Sequence, residues 1–394
     1  MKIYEIGTGY TPIPAQIGAA TEIVVEDLTR SFIRHKYDVE IIDISAENRV
    51  DSDLPIVEVK VPSVFTKKDV SLGIMHKLKR VVYSLALTRK LKKILKNANE
   101  KVVLHFHNQY NLFFFLKLAS KKLRNKAIVG YTVHSYVWNE AWDKIEDTVN
   151  KRYFQEIYCV KNADAVFVLN DVTKEHFVNR LQVNGEKIYK VLNGVNVERY
   201  SSLGDVEIAN LKNEHGLNGK KMLFQVGSVC ERKNQLGTVK MLSDYLKNHR
   251  DVVYMYAGGV IDAEYKQKID DFSKENGISE QVLYVGELSP GAQLNKYYNM
   301  ASCSVFTSAR ESFGLVIIEA IITGTPVVLA GNLTFDSNDG SRVYNNPEEF
   351  VSLVDSIVNG DIGWFDCKSI REKYNWDTVS KTYTDMFERI YKNS

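Results

Sequence analysis

Short apolar runs and longer stretches of helical period take turns along this chain. Residues 2–7, 38–43, 56–61, 102–107, 128–134, 163–169 and 188–192 are apolar, with many β-branched and aromatic side chains, and each predicts a strand. The first run leads into a turn-rich loop, Gly7-Thr8-Gly9-Tyr10-Thr11-Pro12-Ile13-Pro14. A helix then begins near Gly18, with Ile23, Leu28 and Phe32 on its apolar face. Strand, glycine loop and helix can seat a phosphate, although Gly7-x-Gly9 lacks the third glycine of a dinucleotide fingerprint. The polar stretch 200–220 reads as a linker, and a second alternating set follows, with strands at 222–226, 252–258, 282–285, 301–307 and 326–330. Such alternation predicts an α/β fold: a parallel sheet with helices on both faces, in each of two sets.

Residues 308–330, SARESFGLVIIEAIITGTPVVLA, form the most informative unit. Leu315, Ile318 and Ile322 recur at helical intervals, which puts Ser312, Phe313 and Gly314 at a helix start. Gly324 is a left-handed cap candidate, and Pro326 forbids continuation. The helix start offers backbone N–H groups to an anion. Glu311 stands just before the helix and Glu319 one to two turns inside it. An ionised carboxylate only accepts hydrogen bonds, which suits it to gripping hydroxyls. A rise of about 1.5 Å per residue separates the two acids by roughly 8–10 Å, near the sugar-to-ribose distance across a diphosphate. The plainer alternative takes Glu311 as an acid favoured by the helix dipole and Glu319 as a partly buried acid paired with an arginine.

Composition narrows the field. At 394 residues the chain is long enough for two or three domains, its 44% apolar share is ample for two separate cores, and a formal net charge of +2 predicts neither nucleic acid nor membrane binding by itself. Cys159, Cys230, Cys303 and Cys367 show no paired spacing, so neither a disulfide framework nor a zinc site is indicated and a reducing, cytoplasmic home is expected. No signal-peptide pattern opens the chain, and no apolar run nears the roughly 18–20 residues of a membrane span. Charge is concentrated in one place: residues 66–96 carry ten lysines and arginines against the single acid Asp69. With Leu78, Val81, Val82, Leu85, Leu91 and Leu95 at helical intervals, this is a basic amphipathic helix or pair of helices. It is either a docking face for anionic lipid or a lipid-linked acceptor, giving peripheral contact at the inner membrane surface, or a solvated face over a core stripe. His107 and His134 end strands and are read first as satisfied loop histidines. Asp51-Ser52-Asp53 has the shape of a metal-binding Asp-x-Asp motif, but no apolar strand leads directly into it.

Glu311, Phe313, Gly314, Glu319, Ala320, Gly324, Pro326, Val327 and Val328 together resemble the signature of the retaining family-four glycosyltransferases of the GT-B fold. The likeness spans nearly the whole chain. Asn193-Gly194-Val195-Asn196 is similar to the family's Asn-Gly-Val-Asp, Lys233 stands six residues after Gly227, Val285-Gly286-Glu287-Leu288 resembles the segment that meets the nucleotide base, and 371–391 resembles the last element. The resemblance implies two Rossmann-like domains facing across a cleft: 1–198 on the acceptor side, 199–375 binding the nucleotide sugar, and 376–394 as a helix returning to the first domain, with Trp376 as its packing anchor. It implies transfer of a sugar, with retention, from a nucleotide diphosphate sugar, most readily UDP-linked, to a glycan, lipid-linked or small-molecule acceptor. No metal, other cofactor or nucleic acid is implied.

The same resemblance assigns the residues. Glu311 would hold the donor sugar's hydroxyls, Glu319 the ribose, Arg232 and Lys233 the diphosphate, and the N–H groups of Phe313, Gly314 and Leu315 the sugar or phosphate oxygens. Leu288 would meet the base, Gly18 the diphosphate together with the neighbouring Glu22, and His134 the sugar's edge, where a neutral imidazole could donate one hydrogen bond. The chain departs from the pattern at Ala19, Asn196 and Ser228, where glycine, aspartate and arginine are usual, and in the loop after Ala330. The alternatives are a GT-B epimerase or phosphorylase, a binding protein that holds the nucleotide sugar without catalysis, or a membrane- or nucleic-acid-docking scaffold.

Overall fold

The computed structural model describes residues 1–15, 20–47, 49–65, 74–138, 147–331, 333, 340–361, 365 and 367–393. The chain divides into two compact units, 1–194 with 376–394, and 195–375.

The first unit is built on a seven-stranded sheet in the order β3-β2-β1-β4-β5-β6-β7. Its strands are β1 (Lys2–Ile6), β2 (Asp38–Ile44), β3 (Ile56–Val59), β4 (Val102–Phe106), β5 (Ala127–Val133), β6 (Ala165–Val168) and β7 (Ile188–Lys190). Every pairing is parallel. β4 to β6 are buried along their whole length, as strands covered on both faces must be. The helix Ala20–Arg34 buries Val24, Val25, Leu28 and Phe32, while Ile23 is only half-buried. Against it lies Trp376–Lys392: Ser31 Oγ meets Asp377 Oδ1 at 2.8 Å and Arg34 Nη2 donates to the same oxygen at 2.6 Å. Trp376 is buried, and a Cβ on Gly194 would stand 2.3 Å from its ring, so the close approach needs glycine.

The basic segment is one helix over Ile74–Asn97, and its stripe differs from the expected one. Tyr83, Leu87, Leu91 and Leu95, four residues apart, are the buried row, whereas Leu78 and Val81 are 46% and 40% exposed. The buried row is an i, i+4 ridge that slants across the helix surface, and the expected residues near the helix start sit off it. Residues 66–73 lie outside the described set.

The second unit has a six-stranded parallel sheet, order β10-β9-β8-β11-β12-β13. Its strands are β8 (Lys221–Val226), β9 (Val252–Ala257), β10 (Val282–Tyr284), β11 (Cys303–Phe306), β12 (Val327–Ala330) and β13 (Ser341–Tyr344). The stretch expected to be a linker contains a helix, Asp205–Glu214. It buries only Leu211, so its composition is as polar as a linker's, and the acids Asp205 and Glu207 in its first turn favour a helix start. Asn196 Oδ1 accepts from the N–H groups of Glu198 and Arg199 at 3.1 and 3.2 Å, a turn-capping role that needs no charge.

Candidate active site

Strand order in the second sheet reverses between β8 and β11. Loops leaving two such strands run off in opposite directions, which opens a crevice at their carboxyl ends. After β9, Gly258 has φ 140°, and a Cβ there would stand 2.2 Å from the Gly227 carbonyl oxygen, so only glycine lets the β8 and β9 loops close up. The β8 loop then turns tightly through Glu231–Lys233 and ends at Asn234, left-handed at φ 59°. Hydrogen bonds tie this turn and the helix after it to the β11 end, among them Asn234 Nδ2 to Thr307 O (3.2 Å), Thr307 Oγ1 to Asn234 O (3.3 Å), Ala309 N to Arg232 O (2.9 Å) and Thr238 Oγ1 with Thr307 Oγ1 (2.7 Å). Gln225, buried in β8, donates to Lys233 O at 2.7 Å and fixes the lysine's backbone from beneath.

The outcome is a compact charge cluster. Lys233 Nζ lies 2.5 Å and Arg232 Nη1 3.2 Å from the same oxygen, Oε1 of Glu311, and Arg232 Nη1 also donates to Arg310 O at 3.0 Å. Two cations therefore face one carboxylate oxygen. The sequence-derived site thus has its cations on the acid itself.

Just beyond, Gly314 sits at φ 83°, ψ 51° and caps the helix Leu315–Ile322, where Ile317 N donates to Gly314 O at 2.9 Å. Phe313 is buried, edge-on to Tyr374 with ring centroids 6.0 Å apart, so its side chain anchors the turn. Ile317, Ile318, Ile321 and Ile322 form the buried face, while Leu315 is half-buried. Gly324, at φ 89°, closes the helix as its spacing suggested. Glu319 lies just over a turn inside and accepts from the Tyr298 hydroxyl at 3.1 Å. Burial, with Glu319 beside it, pushes the Tyr298 phenol well above its usual range. Leu288 is on the loop after β10, and that loop is joined to β9's by a 2.8 Å bond from Gly258 N to Gly286 O.

The first unit reverses strand order between β1 and β4. Gly18 lies outside the described residues. Glu22 is buried and accepts from the Thr8 hydroxyl; burial pushes its carboxyl up to about 7, the Thr8 bond opposing and Asp43 adding to the rise. Asn111 Nδ2 holds the loop after β1 by its carbonyls, at 3.2 Å to Gly7 O and 3.1 Å to Thr8 O. His134, after β5, is half-buried, and its Nε2 lies 3.0 Å from His107 Nδ1.

Behind His134 stands a buried group that the sequence reading did not find. Glu5 is fully buried, with Oε1 2.8 Å from His105 Nδ1 and Oε2 2.7 Å from His107 Nε2, and His105 Nε2 is 2.8 Å from the Thr132 hydroxyl. Burial raises the Glu5 carboxyl, but the two histidines outweigh it and hold it at about 2. Burial and His105 pull His107 down to about 4 against the pull of Glu5, and burial, then His107, takes His134 well below its usual value. A signal existed: polar residues inside apolar strands, with His105 and His107 two apart on one face of the β4 run. Finding the group also needed the register that sets Glu5 opposite His105. Glu5, His105 and His107 bring ligand-type atoms within 4.8 Å of one another, but both carboxylate oxygens are already used in accepting imidazole N–H groups. Asp53 of the Asp-x-Asp motif pairs with Arg30 at 2.9 Å.

Two family models match the chain: Glycosyltransferase Family 4 over residues 21–199 and Glycosyl transferases group 1 over 207–336. Among similar curated proteins are an uncharacterized glycosyltransferase of Methanocaldococcus jannaschii, 22% identical with 98% of each chain covered, and spore coat protein SA of Bacillus subtilis, 21% identical with 99% of this chain and 100% of that one covered. Similar solved structures include sucrose-phosphate synthase from Thermosynechococcus elongatus (TM-score 0.77, 17% identity, 100% of both chains) and Anabaena HepE in complex with UDP and glucose (TM-score 0.71, 14% identity, 98% and 99%). With matched models over both units, a switch-point charge cluster and two Rossmann-like sheets, the chain belongs to the family-four type of GT-B glycosyltransferases.

Proposed function

We propose that this glycosyltransferase moves a hexose from a nucleotide diphosphate sugar, UDP-linked, to a glycan or lipid-linked acceptor with retention at the anomeric carbon. The observation that carries the reading is the convergence of Lys233, Arg232 and Glu311 at the switch point, directly before a glycine-capped helix start. The diphosphate competes with Glu311 for the two cations. When it binds, Lys233 and Arg232 turn to its oxygens, and Glu311 is left to accept from the sugar's hydroxyls. The N–H groups of Phe313, Gly314 and Leu315 meet sugar or phosphate oxygens, Glu319 the ribose, Leu288 the base edge, and Gly18 the diphosphate. As the glycosidic bond breaks, negative charge grows on the leaving diphosphate, where cations and N–H groups already point. That oxygen can take the acceptor's proton from the same face, so no metal is required. UDP in solved relatives of the same fold supports the donor class.

The lipid-linked acceptor is supported by the helix Ile74–Asn97, which has no acid in its sequence and exposes Met75, Leu78 and Val81 among its lysines and arginines. Among the described residues no helix is long and apolar enough to cross a membrane, so contact would be peripheral. The test is incubation with UDP-sugars and lipid-linked or oligosaccharide acceptors, followed by mass analysis and anomeric NMR. A lengthened acceptor with the donor's configuration is expected; an epimerised donor, a sugar phosphate, or nucleotide binding with no turnover would replace this reading with one of its rivals.

A further inference from the structure

Beyond the donor site, the buried group behind His134 has a consequence for what that histidine can do. Glu5 is ionised, so each of its oxygens can only accept. The ring nitrogen facing each oxygen therefore carries the proton: Nδ1 on His105 and Nε2 on His107. A neutral imidazole has one N–H, so His107 Nδ1, 3.0 Å from His134 Nε2, is a lone pair, and the proton between the rings belongs to His134. His105 Nε2 lies 2.8 Å from the Thr132 hydroxyl, which can give or take that bond. From Glu5 through His107 to His134 the contacts have one consistent assignment, and it starts at a carboxylate with no freedom to donate.

We infer that Glu5 and His107 are positioning residues that fix His134 as the Nε2–H tautomer, so that Nδ1 of His134 meets the substrate as a hydrogen-bond acceptor for a hydroxyl, not as a donor. Among the described residues Nδ1 of His134 has no hydrogen-bond partner, and the residue is half-buried, so this nitrogen is the end of the relay that remains for a ligand. The sequence reading had His134 donating; the relay reverses that polarity. A sugar hydroxyl would then give its hydrogen to His134 and keep its oxygen lone pairs for other partners. The hydroxyl as ligand rests on the glycosyl-transfer reading, whereas the tautomer does not.

The test is long-range proton–nitrogen NMR on uniformly labelled protein without substrate, the His134 signal being assigned by its loss in His134→Asn. An unprotonated Nδ1 and a protonated Nε2 on His134, with the same pattern on His107, are expected. In His107→Phe, which keeps a buried aromatic ring but cuts the relay, His134 should show a tautomer mixture, and kcat should fall roughly tenfold, the worth of one well-placed hydrogen bond, with donor KM held. His134 protonated on Nδ1 in the wild type would overturn the inference, as would a zinc titration that moves the His105 and His107 signals at one equivalent. The wild-type spectrum decides even if His107→Phe does not fold, and a chain that shows the expected tautomer yet transfers no sugar would sink the functional reading alone.

Discussion

At the residue scale, Glu311 carries two opposite jobs. Without donor it neutralises Lys233 and Arg232, and with donor it must release both. Removing it should abolish transfer yet leave UDP bound at least as tightly as in the wild type, because the carboxylate that competes with the diphosphate is gone; product assays and calorimetry on Glu311→Ala check both halves. Glu22 supplies a pH-dependent prediction. Its carboxyl is raised from 4.5 to about 7, so the folded chain holds that proton more tightly than the unfolded one, and its burden on stability grows as pH rises from 4.5 through 7. Glu22→Gln, neutral at every pH, should therefore raise stability at pH 8 by on the order of 2–3 kcal/mol and leave it nearly unchanged at pH 4.5, as read from denaturant melts. His107 works in the other direction. Lowered from 6.5 to about 4, it favours folding at neutral pH and withdraws that contribution as pH falls from 6.5 toward 4.

At the element scale, the β8 and β9 loops touch only because Gly258 has no side chain. Gly258→Ala forces a Cβ against the Gly227 carbonyl at a positive φ, and it should cost about 2–3 kcal/mol in stability and weaken UDP binding with it, measured by melts and calorimetry. The Ile74–Asn97 helix makes a separate prediction. Its buried row supports the core, so reversing exposed charges at Lys77, Arg89 and Lys93 should leave the melting temperature unchanged while abolishing sedimentation with anionic vesicles. If the triple variant still sediments, or the wild type never does, the membrane role falls. This helix also shows why a stripe is harder to read than a helix. Ten cations and a run of leucines made the element plain, but Tyr83 and Leu87 gained the core row and Leu78 lost it, a choice made by what lies beneath.

At the scale of the whole molecule, what was legible followed from local rules. Strand and helix alternation gave two parallel sheets, and Gly314, Gly324 and Pro326 placed the boundaries of the signature helix to within a residue or so, because each acts on its own backbone. The helix at Asp205–Glu214 escaped because an element that buries a single leucine carries no periodic signal. The Glu5, His105, His107 and His134 relay escaped for a different reason. Glu5 lies a hundred residues or more before its partners along the chain, and only strand register brings it beside His105. Conversely, Arg232, Lys233 and Glu311 could be named from sequence, but their mutual pairing follows from the Asn234 and Thr307 tie between two loops.

The claim on which the account turns is that Lys233 leaves Glu311 to hold a donor's diphosphate. Calorimetric titration of UDP into the wild type and Lys233→Ala tests it most directly. A charge-assisted contact of about 1.5–3 kcal/mol predicts a loss of roughly tenfold to a hundredfold in affinity, steeper at low salt. Equal UDP affinity in the two proteins, or no UDP binding by the wild type, would contradict it.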